Sequence, residues 1–260
     1  MIEDLPVHRT HFDTRSKDWW LSHFFLPLGL GLLLLSLLTW LETDLWLSGW
    51  LFKLEGGVSS WPLRYWWLTE NVLHTGGRDM VVLASAVLIG LLIASLVHPR
   101  FKPYRRGFLY LLASVATSVV LVRVGKSITQ VNCPWDLQIF GGQFPYAPFP
   151  FSMQGEGFGG QCFPGGHSSG GFAWIALYYF AAQYFPSRRK VLLASVLAIG
   201  VIFGVTQQLR GAHFLTHDIA SLTLAWLVAT LMYALFWRRA AVRVAPAQTL
   251  ETEAPRSSAL

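Results

Sequence analysis

Three short clusters of polar residues carry the chemistry of this 260-residue chain. Lys126 follows one apolar stretch. Pro164-Gly165-Gly166-His167-Ser168-Ser169-Gly170 opens another, and Arg210-Gly211-Ala212-His213-Phe214-Leu215-Thr216-His217-Asp218 joins two more. A Gly-Gly turn at a helix N-terminus exposes backbone N–H groups at the positive end of the helix dipole, so Gly165 and Gly166 suit an anion. Lys126 and Arg210 add cationic donors for phosphate oxygens. His167 and His213 offer an acid and a nucleophile near neutral pH. His217 or Asp218 can orient a histidine through its second ring nitrogen. Together these residues are equipment for phosphoryl transfer that needs no metal and no other cofactor. A second reading takes His213-x3-His217-Asp218 as metal ligands on a helix, with His167 or His74 completing the set. Asp218 is also placed to cap the helix that follows. Ser168 and Ser169 read as helix-start residues, because no Ser-centred elbow surrounds them.

The elements that position these clusters are set by composition. Hydrophobic residues are 53% of the chain and charged residues 13%, against about 25% charged in a typical soluble domain. The mean hydropathy is +0.43. Apolar content this high excludes a disordered chain and points to an all-α polytopic membrane protein. A crossing takes about 20 mostly apolar residues. Six stretches qualify: 24–41, 80–98, 107–124, 171–185 (extended back to 167), 191–209 and 219–237. The first is read as a retained anchor, since it is too long for a signal peptide and lacks a small-residue cleavage site. Segment 42–79 is rich in Trp and is expected to lie along the outer interface as short helices. Segment 125–166 is rich in Gly and Pro and reads as mostly loop. The membrane domain is expected to span 1–243, followed by a disordered cytoplasmic tail over 244–260.

Lys and Arg placement sets the orientation. Arg9, Arg15 and Lys17, then Arg100, Lys102, Arg105 and Arg106, then Arg188, Arg189 and Lys190, then Arg238, Arg239, Arg243 and Arg256 share one side of a six-span chain. The other side has only Lys53, Arg64, Arg78, Lys126 and Arg210. The positive-inside rule therefore puts both termini in the cytoplasm. It also explains the net charge of +6 without a nucleic-acid partner. All three polar clusters then fall on the opposite, periplasmic face of a bacterial inner membrane. Cys133 and Cys162 lie on that same oxidising side, and their even count suggests a disulfide rather than two buried thiols. Closing that loop would stabilise the fold by roughly 3–4 kcal/mol.

The three clusters resemble the motifs of the type 2 phosphatidic acid phosphatase superfamily, which also includes the vanadium haloperoxidases. Its pattern is Lys-x6-Arg-Pro, then Pro-Ser-Gly-His, then Ser-Arg-x5-His-x3-Asp. Lys126-x6-Cys133-Pro134 matches the first element and Pro164-Gly165-Gly166-His167 the second. Gly211-Ala212-His213 aligns the third, with Thr206-Gln207 at its Ser-Arg. Cys133 and Gln207 thus stand where the pattern has arginines, and His217 stands at the Asp position with Asp218 next to it. Arg210, Arg123 and Arg78 are the candidates to replace those arginines. Arg78 ends a Glu70-x3-His74-x3-Arg78 series that would share a face of a continuous helix, though Gly76-Gly77 can interrupt it. The resemblance implies that His213 attacks phosphorus, His217 or Asp218 orients it, and His167 protonates the leaving oxygen. Lys126, Arg210 and the Gly165 and Gly166 amides would hold the phosphate. The implied substrate is a membrane lipid phosphate or diphosphate: undecaprenyl diphosphate, phosphatidylglycerol phosphate, phosphatidic acid or a lipid A phosphate. A phosphotransferase on the same scaffold is the alternative.

Overall fold

The computed structural model describes residues 12–146 and 160–237, and the expected tail over 244–260, together with Arg9, Arg238, Arg239, Arg243 and Arg256, lies outside them. Of the described residues 80% are helical and none lies in a strand. Helix α1 is Lys17–Trp40, α2 Thr43–Leu54, α3 Leu68–Val97, α4 Arg105–Thr129, α6 Arg189–Leu209 and α7 Leu215–Trp237. Between α4 and α6 runs α5, built from Gly166–Phe172, a 3-10 turn Ala173–Ile175 and Ala176–Tyr184.

Helices α1, α3, α4, α6 and α7 are long and apolar enough to cross a membrane. They present Leu30, Leu33, Leu83, Ile93, Val120 and Val201 outward, an exposed apolar surface too extensive for a water-soluble monomer. The protein is therefore a membrane protein. The fourth expected stretch is helical but falls short of that criterion, because its Gly- and Ser-rich opening lowers its apolar content. It is also the most enclosed element. Ile175, Ala176, Tyr179 and Ala181 of α5 have no exposed surface, and α5 packs against α4, α6 and α7. The core holds Phe108 and Tyr110 of α4, Phe172 and Tyr179 of α5, Val196 of α6, and Ala229, Tyr233 and Trp237 of α7. Its tyrosine hydroxyls find partners inside it: Tyr110 donates to the Ala229 carbonyl at 3.1 Å, and Tyr179 and Thr230 hydroxyls meet at 2.6 Å.

Missing side chains draw α5 and α6 together. A Cβ on Gly171 would stand 2.8 Å from the Gly200 Cα, and one on Gly204 would stand 2.7 Å from an Asp218 oxygen. Small residues of this kind let helices approach backbone to backbone.

Several boundaries differ from the sequence expectation. Helix α3 begins at Leu68 rather than near 80, because Gly76 and Gly77 both keep right-handed helical angles and do not interrupt it. Its first part, Leu68–Gly76, is wound as a π-helix. Helix α4 runs on to Thr129, so Lys126 belongs to its last turn instead of following it. The Trp-rich outer segment divides. Trp46, Trp50, Trp66 and Trp67 are exposed, as interfacial anchors would be. Trp61 instead joins Phe52, Leu137, Phe140 and Phe214 in a second apolar cluster outside the bundle. That cluster rests on the loop before α7. Gly211 there has φ +68°, and a Cβ on it would collide with the Trp61 indole. Asp44 of α2 reaches the start of α7, accepting from the Thr216 amide at 3.1 Å and from the Thr216 hydroxyl. A carboxylate at a helix N-terminus satisfies amides that have no intrahelical partner.

Candidate active site

Lys126, the start of α5 and the loop before α7 converge at one end of the bundle. Lys126 is half-buried, and its Nζ donates to the Gln161 carbonyl. A Cβ on Gly166 would stand 2.9 Å from Lys126 Cε, so the lysine lies directly over the glycine turn. Arg123, one turn earlier and exposed, donates to Gln161 Oε1 at 2.6 Å.

The segment bearing Gln161 is held by a disulfide. Cys133 and Cys162 are bonded, with Cα atoms 5.3 Å apart. The Cys162 amide donates to the Val131 carbonyl at 3.0 Å, and Thr129 donates to the Phe163 carbonyl at 2.8 Å. The Cys162 carbonyl in turn accepts from both the His213 and the His217 rings. The cysteine that stands in place of an arginine thus anchors the strip of backbone against which Lys126 and two histidines are set.

His213 is nearly enclosed, at 6% exposure. The Gly166 amide donates to its Nε2 at 3.3 Å, and its Nδ1 faces His217 Nδ1 at 3.4 Å. An N–H donated to Nε2 requires a lone pair there, so the neutral ring carries its proton on Nδ1. That is the tautomer a nitrogen nucleophile needs, with its lone pair at the N-terminus of α5, where an anion is favoured. Burial, and then the charges of Lys126 and His217, hold the His213 imidazole well below the usual histidine value of 6.5. A nucleophile that stays neutral keeps its activity as pH falls. The acid limb of the kcat profile assigned to His213 is therefore expected below pH 6.5, and a limb above that value would contradict this environment.

His217 is 2% exposed and fixed edge-on by Phe163 and Phe214, each with its ring centroid 5.3 Å away. Asp218 turns elsewhere, accepting from Gln208 Nε2 at 2.7 Å. Of the two candidates to orient His213, the geometry brings His217 to it. The metal reading of His213, His217 and Asp218 is not assembled either: among the described residues no three His, Cys, Asp or Glu side chains converge as a ligand group. One Asp218 oxygen meets Gln208 across the α6–α7 packing, and the other lies beside the start of α5, 2.7 Å from where a Cβ on Gly165 would stand.

His167 sits in the first turn of α5. Its Nε2 meets the Leu73 carbonyl at 3.1 Å, and its ring packs on Phe203 with centroids 4.4 Å apart. His74 lies 5.0 Å from it, ring to ring.

Three of the residues expected to hold phosphate have other partners within the protein. The Gly165 amide is spent on the His217 carbonyl at 3.0 Å, so only Gly166 of the pair points its N–H at the site. Arg78 faces outward and pairs with its neighbour Asp79 at 3.0 Å. Its charge still acts on His74, one turn earlier. Arg210 is buried, but its guanidinium is engaged by the Glu70 carboxylate, Gln207 Oε1 and the Arg64 carbonyl. It lies close enough to His74 and His167 for its charge to act on both. Glu70, the Leu73 carbonyl and the Cys162 carbonyl were not legible as site groups. Glu70 had a signal in its spacing to His74, and the two carbonyls had none.

Neither the comparison with curated proteins nor that with solved structures returns a match. Residues 107–241 match the PAP2 superfamily, a stretch that carries Lys126, Gly165, Gly166, His167, Arg210, His213, His217 and Asp218 but begins only after α3. Members of that superfamily are generally phosphatases. With just over half of its residues matched, this chain belongs to the PAP2 superfamily, consistent with a type 2 phosphatidic acid phosphatase.

Proposed function

We propose that the protein is a lipid phosphate or diphosphate phosphatase that works through a phosphohistidine on His213. The observation that carries this reading is the placement of His213 Nε2 against the Gly166 amide at 3.3 Å, with Nδ1 turned to His217. The Nε2 lone pair attacks phosphorus, an N–P bond forms and the P–O bond to the lipid breaks. His167 gives the leaving oxygen its proton. Water then attacks phosphorus, His167 takes the water's proton, the N–P bond breaks and inorganic phosphate leaves. The proton lent by His167 is thereby returned. Lys126, Arg123 and the Gly166 amide hold the phosphoryl oxygens as charge builds in each transition state. His213 keeps its Nδ1 proton, held by the Cys162 carbonyl with His217 alongside, and these partners steady the ring as it becomes cationic.

The membrane setting follows the same reading. With α5 counted as a sixth crossing, the basic loops on either side of Arg100 and Arg188 fall on the cytoplasmic side, as do both termini. The site then faces the periplasm at the outer leaflet of a bacterial inner membrane, where a headgroup can enter while its tail stays in the bilayer. Membrane lipids are then both solvent and substrate.

The test is phosphate release by the purified protein in detergent, with EDTA present. The panel is undecaprenyl diphosphate, phosphatidylglycerol phosphate, phosphatidic acid and a lipid A phosphate. Release that survives EDTA is the expected result and ranks the substrates. Release lost to EDTA, and restored by a divalent metal, would overturn the metal-free mechanism.

A further inference from the structure

Helix α3 lies outside the region matched to the superfamily, yet its π-wound first part closes one side of the site. Its Leu73 carbonyl takes His167 Nε2 at 3.1 Å. His74 sets its ring at a tilt beside His167, centroids 5.0 Å apart, and its Nδ1 bonds Glu70 Oε1 at 3.4 Å. Gly77 leaves the room for this approach, since a Cβ there would stand 3.2 Å from His167 Nε2. The other Glu70 oxygen pairs with the buried Arg210. Arg210 bonds the side chain of Gln207, whose carbonyl accepts the Ala212 amide at 2.8 Å and the His213 amide at 3.4 Å. The turn is pinned from outside by Thr69, buried and bonded to the Leu63 and Trp66 carbonyls. A continuous chain of contacts therefore runs from the nucleophile's loop, through Arg210 and Glu70, to the ring and carbonyl that hold His167. Irregular π turns inside helices are frequent at functional sites.

We propose that Glu70 and His74 are positioning residues for His167, tying it at a fixed distance from His213 through the Glu70–Arg210 ion pair. This rests on the reading of His213 as nucleophile and His167 as general acid. With Nε2–H donated to the Leu73 carbonyl, His167 does its proton chemistry through Nδ1, and the Glu70–His74 pair holds the ring so that Nδ1 faces the leaving oxygen. Arg210 then serves as the counter-charge of Glu70, not as a ligand of phosphate. The charged and titratable groups facing this pair are Arg210, His167 and Arg78, with His213 beyond His167.

A general acid matters only where the leaving group needs a proton. The experiment therefore compares two substrates, the most active lipid phosphate of the panel and p-nitrophenyl phosphate, whose phenolate leaves unaided. His74→Gln, Glu70→Gln and His167→Ala are each expected to lower kcat on the lipid by about 10²-fold, while His74→Gln and Glu70→Gln stay near wild type on p-nitrophenyl phosphate. His74→Gln leaves the Glu70–Arg210 pair intact and guards against a Glu70 variant that fails to fold. Parallel loss on both substrates, or no loss on the lipid, would overturn the proposal. His213→Ala reports separately on the underlying mechanism: turnover that survives it brings down the phosphohistidine whatever the other variants do.

Discussion

Replacing His213 by alanine is expected to lower lipid phosphate hydrolysis by about 10⁴-fold or more, the scale on which a covalent nucleophile is lost. The defect should appear on every substrate alike, because the bond to phosphorus can no longer form. Quenching wild-type enzyme with a labelled substrate should trap an acid-labile, base-stable phosphoprotein, and the variant should trap none. The structure makes the attribution specific. Gly166 fixes the lone pair on Nε2, His217 and the Cys162 carbonyl occupy the Nδ1 side, and burial keeps the ring neutral. A variant that still forms the phosphoprotein would place the nucleophile elsewhere.

Reducing the Cys133–Cys162 bond is expected to be nearly as damaging, through position instead of chemistry. Opening a loop of this length, with the two cysteines 29 residues apart, costs about 3–4 kcal/mol in the chain-entropy picture. Gln161, Cys162 and Phe163 would lose their anchor together, and they carry the carbonyls that receive Lys126, the two histidines and Thr129. A reductant, or Cys133→Ser with Cys162→Ser, should therefore lower both the melting temperature and kcat, with reoxidation restoring the wild type alone. Full activity in the double serine variant would mean that the Val131 and Thr129 contacts suffice to hold the strip.

The three clusters were legible in the sequence because each combines a helix end with residue types that bind or transfer phosphate. Their convergence needed only that alternate helix ends meet on one side. The cysteine pair was legible for a similar reason, since both residues fall in one outer loop. What escaped the sequence is what depends on distant partners. Arg210 reads as a free cation until Glu70, 140 positions away, is seen to hold it. Arg78 reads as its equal until its exposed pairing with Asp79 is seen. Gly165 and Gly166 are indistinguishable as neighbours, and only the packing of α7 decides that one amide meets a carbonyl and the other the imidazole. Helix boundaries slipped where glycine was treated as a breaker, at Gly76-Gly77, although nothing in its angles there departs from a helix. The fourth expected stretch was harder to place by apolarity because the most enclosed helix has the least need of an apolar outer face.

The seam of Gly171 and Gly200 has a bearing on how inherited changes in this gene should be interpreted. The spacing between the acid's helix and the helix that leads to the nucleophile is set there by the absence of side chains. One added methyl group would wedge the two apart and tilt their outer ends. Such an allele would present as a catalytic lesion while every reacting residue remained intact. Mutational surveys that score only the histidines and the lysine would misfile it as unrelated to the chemistry.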